Sequence, residues 1–141
     1  MIFLALGPIT GMNESMQIQG DGAEPPTVLV VDDDPAVRNS LKFSLELEGF
    51  AVRLYANGRE LLDDPHLPAY GCLVVDQVMP GLLGLDVVAA LRDRGISSPA
   101  ILITPHATHK VRQSAAAAGI VVIEKPFFGN KLIDAIRDSL A

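Results

Sequence analysis

Aliphatic runs alternate with helix-like segments along the chain from Thr27 onward. The run TVLVV is continuously apolar, as is typical of a strand buried on both faces, and the next segment repeats apolar residues at helical spacing. This pattern predicts strands at 27–31, 51–55, 71–76, 99–104 and 120–126, and helices at 35–49, 57–64, 85–95, 109–119 and 130–141. Strict alternation with short connections predicts an α/β domain, in which a five-stranded parallel sheet carries helices on both faces.

Length and composition agree with one globular domain. The chain has 141 residues, of which 49% are hydrophobic and 20% charged, so it can bury a substantial core. Residues 1–26 are Gly-, Pro- and polar-rich after a short apolar start, and we expect a flexible N-terminal extension there. The domain is expected to occupy residues 27–141, with no output domain.

Charge and cysteine content narrow the possible partners. The formal net charge of −6 disfavours nucleic-acid binding, because phosphate contacts need clustered basic residues. The apolar start is too short to span a bilayer, so we expect no membrane association. Cys72 lies alone in an apolar run and is interpreted as a small core residue, which favours a cytoplasmic location. The histidines His66, His106 and His109 are interpreted as solvated surface residues.

Polar side chains follow four of the five predicted strands. Asp32 and Asp33 come after the first strand, Asp76 ends the third, Thr104 ends the fourth and Lys125 follows the aliphatic part of the fifth. In an open parallel sheet, ligands bind beyond the carboxyl ends of the strands, near the point where strand order reverses. Each residue alone has an ordinary explanation as a cap or a solvated side chain. Together they indicate a site for a metal ion or a phosphate group.

A helix-capping role accounts for the third aspartate of the run VVDDD. Asp34 directly precedes Pro35, and Asp followed by Pro is typical of a helix start, with Asp as N-cap and Pro in the first position. The acidic run therefore divides into two candidate site residues and one cap.

Four motifs carry a resemblance to a known family. VVDDD, VVDQVMPGLLG, ILIT and IEKPF have the order and spacing found in the receiver domain of bacterial two-component response regulators, which residues 27–141 resemble. Several motifs are most like those of the nitrogen-fixation regulator group. The resemblance implies a flavodoxin-like strand order of 2-1-3-4-5. It also implies a phosphoprotein that takes part in a phosphorelay, with a sensor histidine kinase or a histidine phosphotransfer protein as partner.

The resemblance further implies the role of each acid. Asp76 would be the phosphoacceptor, forming an acyl phosphate. Asp33, Asp76 and the backbone carbonyl of Val78 would hold one Mg²⁺, for which Mn²⁺ can substitute, and Asp32 would make a looser or water-mediated contact. The only chemistry implied is the protein's own phosphorylation and dephosphorylation. Phosphorylation would change the face of the fourth and fifth helices, where a downstream protein or a second copy of the chain would bind.

Two further residues would contact the phosphoryl group, and two positions depart from the family pattern. Lys125 would supply positive charge, with a cis bond to Pro126, and Thr104 would donate its hydroxyl. Pro105 stands where the family normally has a small residue whose N–H faces the phosphoryl group, and proline has no N–H. Val122 stands where many receivers carry a switching aromatic, so we expect the aromatic half of the usual switch to be absent.

Two other classes of protein remain open. A degenerate receiver would be a protein-interaction module that is never phosphorylated, and Pro105 is the reason to keep this alternative. A remote alternative is an aspartate-nucleophile phosphatase of the haloacid dehalogenase type, which also places Asp-x-Asp after its first strand. Pro35 and Ala36 interrupt the continuation of that motif, and we expect no cap domain in the chain.

Overall fold

The computed structural model describes residues 25–68, 71–126 and 130–141. The predicted extension at 1–26 falls almost wholly on residues 1–24, outside the described part. Strands and helices alternate as the sequence predicts. The strands are β1 (Thr27–Val31), β2 (Ala51–Tyr55), β3 (Gly71–Asp76), β4 (Ala100–Thr104) and β5 (Val121–Glu124). The helices are α1 (Pro35–Leu47), α2 (Gly58–Asp63), α3 (Gly84–Asp93), α4 (His109–Ala117) and α5 (Lys131–Leu140).

The strands form one parallel sheet in the order β2-β1-β3-β4-β5, which confirms the predicted order. The chain runs outward from β1 to β2 and then crosses back to β3, so the strand order reverses between β1 and β3. Val31 pairs with Val75 at the carboxyl ends of these two strands. The reversal therefore places the residues that end β1 and β3 side by side, at the position where ligands bind in open α/β sheets.

Two apolar layers, one on each face of the sheet, hold the helices. Alternate residues of β1 enter opposite layers, because successive side chains of a strand point to opposite faces. Leu29 and Val31 pack with residues of α2, α3 and α4, whereas Val28 and Val30 pack with residues of α1 and α5. Helices thus cover both faces, as predicted. Among the described residues, no helix is long and apolar enough to cross a membrane.

Local capping explains why several helices are shorter than the ranges predicted from the hydrophobic pattern. The predicted helix 57–64 is Gly58–Asp63, because the side chain of Asn57 accepts a hydrogen bond from the N–H of Glu60 and so acts as the N-cap. The predicted helix 35–49 ends at Leu47, and Gly49 then takes φ 93°, a left-handed conformation that glycine adopts readily. Apolar periodicity marks the buried face of a helix but not its last hydrogen-bonded residue.

Candidate functional site

Three aspartates meet at the point where the strand order reverses. Asp32 follows β1 and is fully buried, Asp76 ends β3 and is 4% exposed, and Asp33 is exposed to solvent. One carboxylate oxygen from each lies within 4.8 Å of the others. Three hard oxygen donors at this separation fit a divalent cation of the Mg²⁺ type. The structure thus brings together the three acids that the sequence singled out.

Lys125 lies between two of these acids. Its Nζ donates to Asp32 Oδ2 at 3.0 Å and to Asp76 Oδ2 at 3.1 Å. Burial by itself lowers the pKa of Lys125, but the hydrogen bonds to Asp32 and Asp76 outweigh this, and the net shift is upward. The ammonium therefore stays charged and partly neutralises the buried acids. The Lys125–Pro126 peptide bond is cis.

The pKa of Asp76 is also raised, chiefly because burial disfavours its charged form. Hydrogen bonds from Lys125 and from the N–H of Val78 oppose this shift, whereas the charge of Asp32 adds to it. The pKa values of Lys125 and Asp76 both shift upward because burial outweighs the hydrogen bond from the lysine at Asp76, whereas the two acids outweigh burial at Lys125. The N–H of Val78 donates to Asp76 Oδ1 at 3.1 Å, and the side chain of Val78 is exposed.

Close packing behind Asp76 fixes the end of β3. A Cβ on Gly84, the first residue of α3, would lie 2.6 Å from the carbonyl oxygen of Asp76, so the helix can start there only with glycine. The buried side chain of Gln77 accepts a hydrogen bond from the N–H of Leu85 at 2.9 Å. These contacts join the start of α3 to the residues around the phosphoacceptor candidate.

Asp34 caps α1 as predicted. Its side chain accepts a hydrogen bond from the N–H of Ala36 at 2.9 Å, and Pro35 occupies the start of the helix. The N–H of Asp34 donates to Asp32 Oδ1 at 2.9 Å. The capping turn therefore also holds the carboxylate of Asp32, whose other oxygen contacts Lys125.

Thr104 lies at the same edge of the sheet, but its hydroxyl is engaged elsewhere. The side chain is buried, and its Oγ1 donates to the carbonyl oxygen of His106 at 3.2 Å, within the loop that follows β4. Pro105 is exposed and, with Lys125 and Pro126, lines a groove of about 540 Å³ against α1. Thr104 must therefore exchange hydrogen-bond partners before it can contact a group bound at Asp76.

Val122 is half-buried and packs against the apolar layer that holds α2, α3 and α4. His106 and His109 are exposed, and His66 is exposed in the loop after α2. Cys72 is buried in the other apolar layer, where burial raises the pKa of its thiol to about 12, so it behaves as a core residue.

Two charged residues near the site were not singled out from the sequence. Arg38, on α1, donates from Nη1 to the backbone carbonyl of Asp32 at 2.6 Å. Glu124, at the end of β5, accepts from the N–H of Ala107 at 2.9 Å and lies 3.2 Å from Arg112 Nη2. The available signal for Glu124 was its place directly before Lys125 in IEKPF. The contacts of Arg38 and Glu124 could not be predicted from the hydrophobic pattern, because they depend on how loops are positioned.

The fold and the site together define a doubly wound α/β domain with an acid–lysine cluster at its topological switch point. The chain belongs to the response regulator receiver domain family, whose model matches residues 28–137. This confirms the resemblance drawn from the four motifs.

Relatives and solved structures agree with this assignment. The chain is 39% identical over 114 residues to the transcriptional regulatory protein FixJ of Azorhizobium caulinodans, covering 80% of this chain and 54% of that protein. It is similar to the crystal structure of FixJ-N, with a TM-score of 0.74, 36% identity, and coverage of 83% of this chain and 94% of that one. The response regulator TrrA of Thermotoga maritima, solved in complex with Mg²⁺-BeF, gives a TM-score of 0.72 and 30% identity, covering 82% of this chain and 99% of that one.

The chain spans about half the length of the curated FixJ proteins that it matches, with 54% and 55% of two of them covered. The similarity therefore concerns the receiver part of these transcription regulators. It is consistent with a phosphoacceptor role in two-component signalling.

Proposed function

We propose that this protein is a phosphoacceptor in a two-component phosphorelay, with Asp76 as the residue that is phosphorylated. The observation that carries the proposal is the position of Asp76, which is buried at the switch point between two further acids and the ammonium of Lys125. A carboxylate in this setting has cation ligands beside it and a positive charge against one oxygen. These are the groups that phosphoryl transfer requires.

In the proposed reaction, an oxygen of the Asp76 carboxylate attacks the phosphorus of a phosphohistidine. The new P–O bond forms as the P–N bond breaks, and the histidine ring leaves as neutral imidazole after taking up a proton from solvent. The product is an acyl phosphate. Hydrolysis of that acyl phosphate returns Asp76 to its carboxylate, so the protein catalyses only its own phosphorylation and dephosphorylation.

Asp32, Asp33 and Asp76 would hold a Mg²⁺ ion, or Mn²⁺ in its place, together with the backbone carbonyl of Val78. A bound divalent cation neutralises negative charge on the phosphoryl oxygens. The solved complex of TrrA with Mg²⁺-BeF supports the choice of ion by similarity. Exposed Asp33 is suited to admit the cation from solvent, whereas buried Asp32 is already held by the N–H of Asp34 and by Lys125.

Lys125 and Thr104 would bind the phosphoryl group itself. Lys125 Nζ already contacts Asp76 Oδ2, so a phosphoryl group on that carboxylate places its oxygens within reach of the ammonium. Thr104 would turn its hydroxyl from the His106 carbonyl toward a phosphoryl oxygen. Because the hydroxyl holds the loop after β4, this exchange would move the loop and the start of α4.

Partners follow from the same proposal. The phosphoryl donor would be a sensor histidine kinase or a histidine phosphotransfer protein in the cytoplasm. Residues 27–141 would act as the receiver unit, and the face of α4 and α5 would bind a downstream protein or a second copy of the chain. The net charge of −6 over the whole chain argues against direct nucleic-acid binding.

The test is incubation of the protein with Mg²⁺ and a small acyl-phosphate donor, followed by intact-mass measurement. We expect one phosphate adduct in the wild type and none in Asp76→Ala. Asp34→Ala is the matched control, since Asp34 caps α1 and should leave the adduct unchanged. An adduct that persists in Asp76→Ala would refute the assignment of Asp76.

A specific observation favours a second candidate, a receiver that binds partners without phosphorylation. Pro105 removes an N–H donor from the loop beside Lys125, and Thr104 is bonded to the loop rather than directed at Asp76. Failure to form an adduct with small donors and with histidine kinases, while Mg²⁺ still binds, would favour this candidate.

A further inference from the structure

Glu124 connects three elements next to the proposed phosphorylation site. It is paired with Thr104 across β4 and β5. Its Oε2 accepts a hydrogen bond from the N–H of Ala107, in the loop after β4, at 2.9 Å. Its Oε1 lies 3.2 Å from Nη2 of Arg112, on α4. One carboxylate therefore joins β5 to both the loop and the helix that follow Thr104.

The hydrogen bonds of Thr104 and Glu124 meet on one peptide group. The carbonyl oxygen of His106 accepts from the Thr104 hydroxyl at 3.2 Å, and the N–H of Ala107 donates to Glu124. This carbonyl and this N–H belong to the same planar unit, so neither can rotate without the other. The carbonyl of this peptide group is thus held by the hydroxyl of Thr104, and its N–H is held by the carboxylate of Glu124.

We propose that Thr104, this peptide group, Glu124 and Arg112 form a relay that carries the state of the phosphorylation site to α4. The inference rests on the proposed function, because Thr104 exchanges partners only when a phosphoryl group forms on Asp76. When the hydroxyl leaves the His106 carbonyl, the peptide group loses the bond that opposes its rotation. Glu124 then follows the Ala107 N–H and shifts the position of Arg112.

The charge of Glu124 and the short side chain at position 122 support the relay. The pKa of Glu124 is lowered, first by the hydrogen bond from Ala107, so the carboxylate is charged and its bond to the N–H is of the stronger, charge-assisted kind. Hydrogen bonds in a chain also polarise one another. Val122 is too short and stiff to report the position of Thr104 by rotating inward, so the relay supplies a connection that the side chain at 122 does not.

The test compares three variants of the full chain by backbone amide chemical shifts, measured with and without Mg²⁺ plus beryllofluoride as the phosphoryl mimic. Glu124→Gln keeps an acceptor for the Ala107 N–H but removes the charge that pairs with Arg112. Arg112→Gln removes the other partner of that pair. Glu48→Gln is the matched control, because the Glu48–Arg137 pair is similarly exposed but lies at the opposite end of α1 from the site.

We expect amides around Asp76 to respond equally in all four proteins. The response of amides 110–117 is expected to fall to about half or less in Glu124→Gln and Arg112→Gln, but to stay at the wild-type level in Glu48→Gln. In a separate hydrogen-exchange measurement on a fourth variant, Glu124→Ala, exchange of the Ala107 amide should be roughly tenfold faster than in the wild type, and Glu124→Gln should restore much of the protection.

Two results would overturn the relay. A full response of α4 in Glu124→Gln and Arg112→Gln, with a normal response at Asp76, would show that α4 is reached by another route and would leave the proposed function intact. Absence of any response around Asp76 in the wild type would overturn the proposed function and the relay together.

Discussion

At the scale of single residues, the site combines charged groups, each of which would be unfavourable to bury without the others. Asp32 and Asp76 are both buried, and their charges repel. Lys125 contacts both, and its raised pKa shows that the two acids together stabilise its charge despite burial. Asp33 completes the acidic cluster from the solvent side. This division of burial and exposure makes substitutions at the site affect stability and function in different directions.

Asp76→Asn is expected to stabilise the protein in Mg²⁺-free buffer. The folded-state pKa of Asp76 is raised, so its contribution to stability is present below its unfolded value of 3.8 and is lost as pH rises through the folded value. Asparagine removes that loss and keeps one acceptor oxygen, which can accept from either the Val78 N–H or Lys125, while Lys125 also keeps Asp32 as an acceptor. We expect a gain of about 1 kcal/mol at neutral pH by urea unfolding. The gain should vanish in acid, and a loss at neutral pH would contradict this account.

Lys125→Met is expected to destabilise the protein by about 2 kcal/mol at neutral pH, because it leaves two buried acids without their cation. The folded-state pKa of Lys125 is raised, so its contribution is complete below its unfolded value of 10.5 and is lost as pH rises through the folded value. The penalty should therefore shrink in strong alkali. Lys42→Met, which breaks an exposed pair with Glu46, is the control and should cost well under about 1 kcal/mol.

At the scale of elements, sequence patterns predicted much of the structure, and contacts between elements account for the rest. The continuous apolar run of β1 and the helical spacing in α1 gave the correct kind and order of element. The cluster of acids with Lys125 was also predictable, because every member follows a strand of a parallel sheet. The hydroxyl partner of Thr104 and the contacts of Glu124 were not, since both depend on how one loop packs against β5.

The loop after β4 gives a further test through Pro105. We expect Pro105→Ala to speed both phosphorylation by a small donor and hydrolysis of the acyl phosphate, since alanine restores an N–H that can stabilise the phosphoryl group in both transition states. In enzymes, loss of one such donor typically slows the chemical step by about a hundredfold or more. We expect a smaller change here, a gain in rate of roughly tenfold. The rates are measured by intact mass over time. Unchanged rates would mean that proline is neutral here and that other donors compensate.

The capping turn of α1 is a second element-scale test. Asp34→Ala should lower the free energy of unfolding by about 1 kcal/mol, because the N–H of Ala36 loses its acceptor. The bond from the Asp34 N–H to Asp32 Oδ1 is made by the backbone and should survive. Titration of Mg²⁺ should consequently give nearly the same affinity as the wild type. A large fall in affinity would assign Asp34 to the metal site instead of to the cap.

At the scale of the whole molecule, binding at the switch point is linked to folding, because the cluster draws its acids from the ends of β1 and β3 and its lysine from the end of β5. These strands come together only in the folded sheet, so a cation that binds the cluster stabilises the native state by mass action. We expect the melting temperature to rise with Mg²⁺. Above the dissociation constant, each tenfold increase in Mg²⁺ concentration should add about 1.4 kcal/mol to the free energy of unfolding.

Asp33→Asn is the decisive control, because Asp33 is exposed. Its substitution should change the stability without Mg²⁺ by no more than about 0.5 kcal/mol, while reducing the Mg²⁺-dependent rise. An undiminished rise in Asp33→Asn would place the cation elsewhere, and equal rises with Mg²⁺ and with matched ionic strength of Na⁺ would reduce the effect to screening.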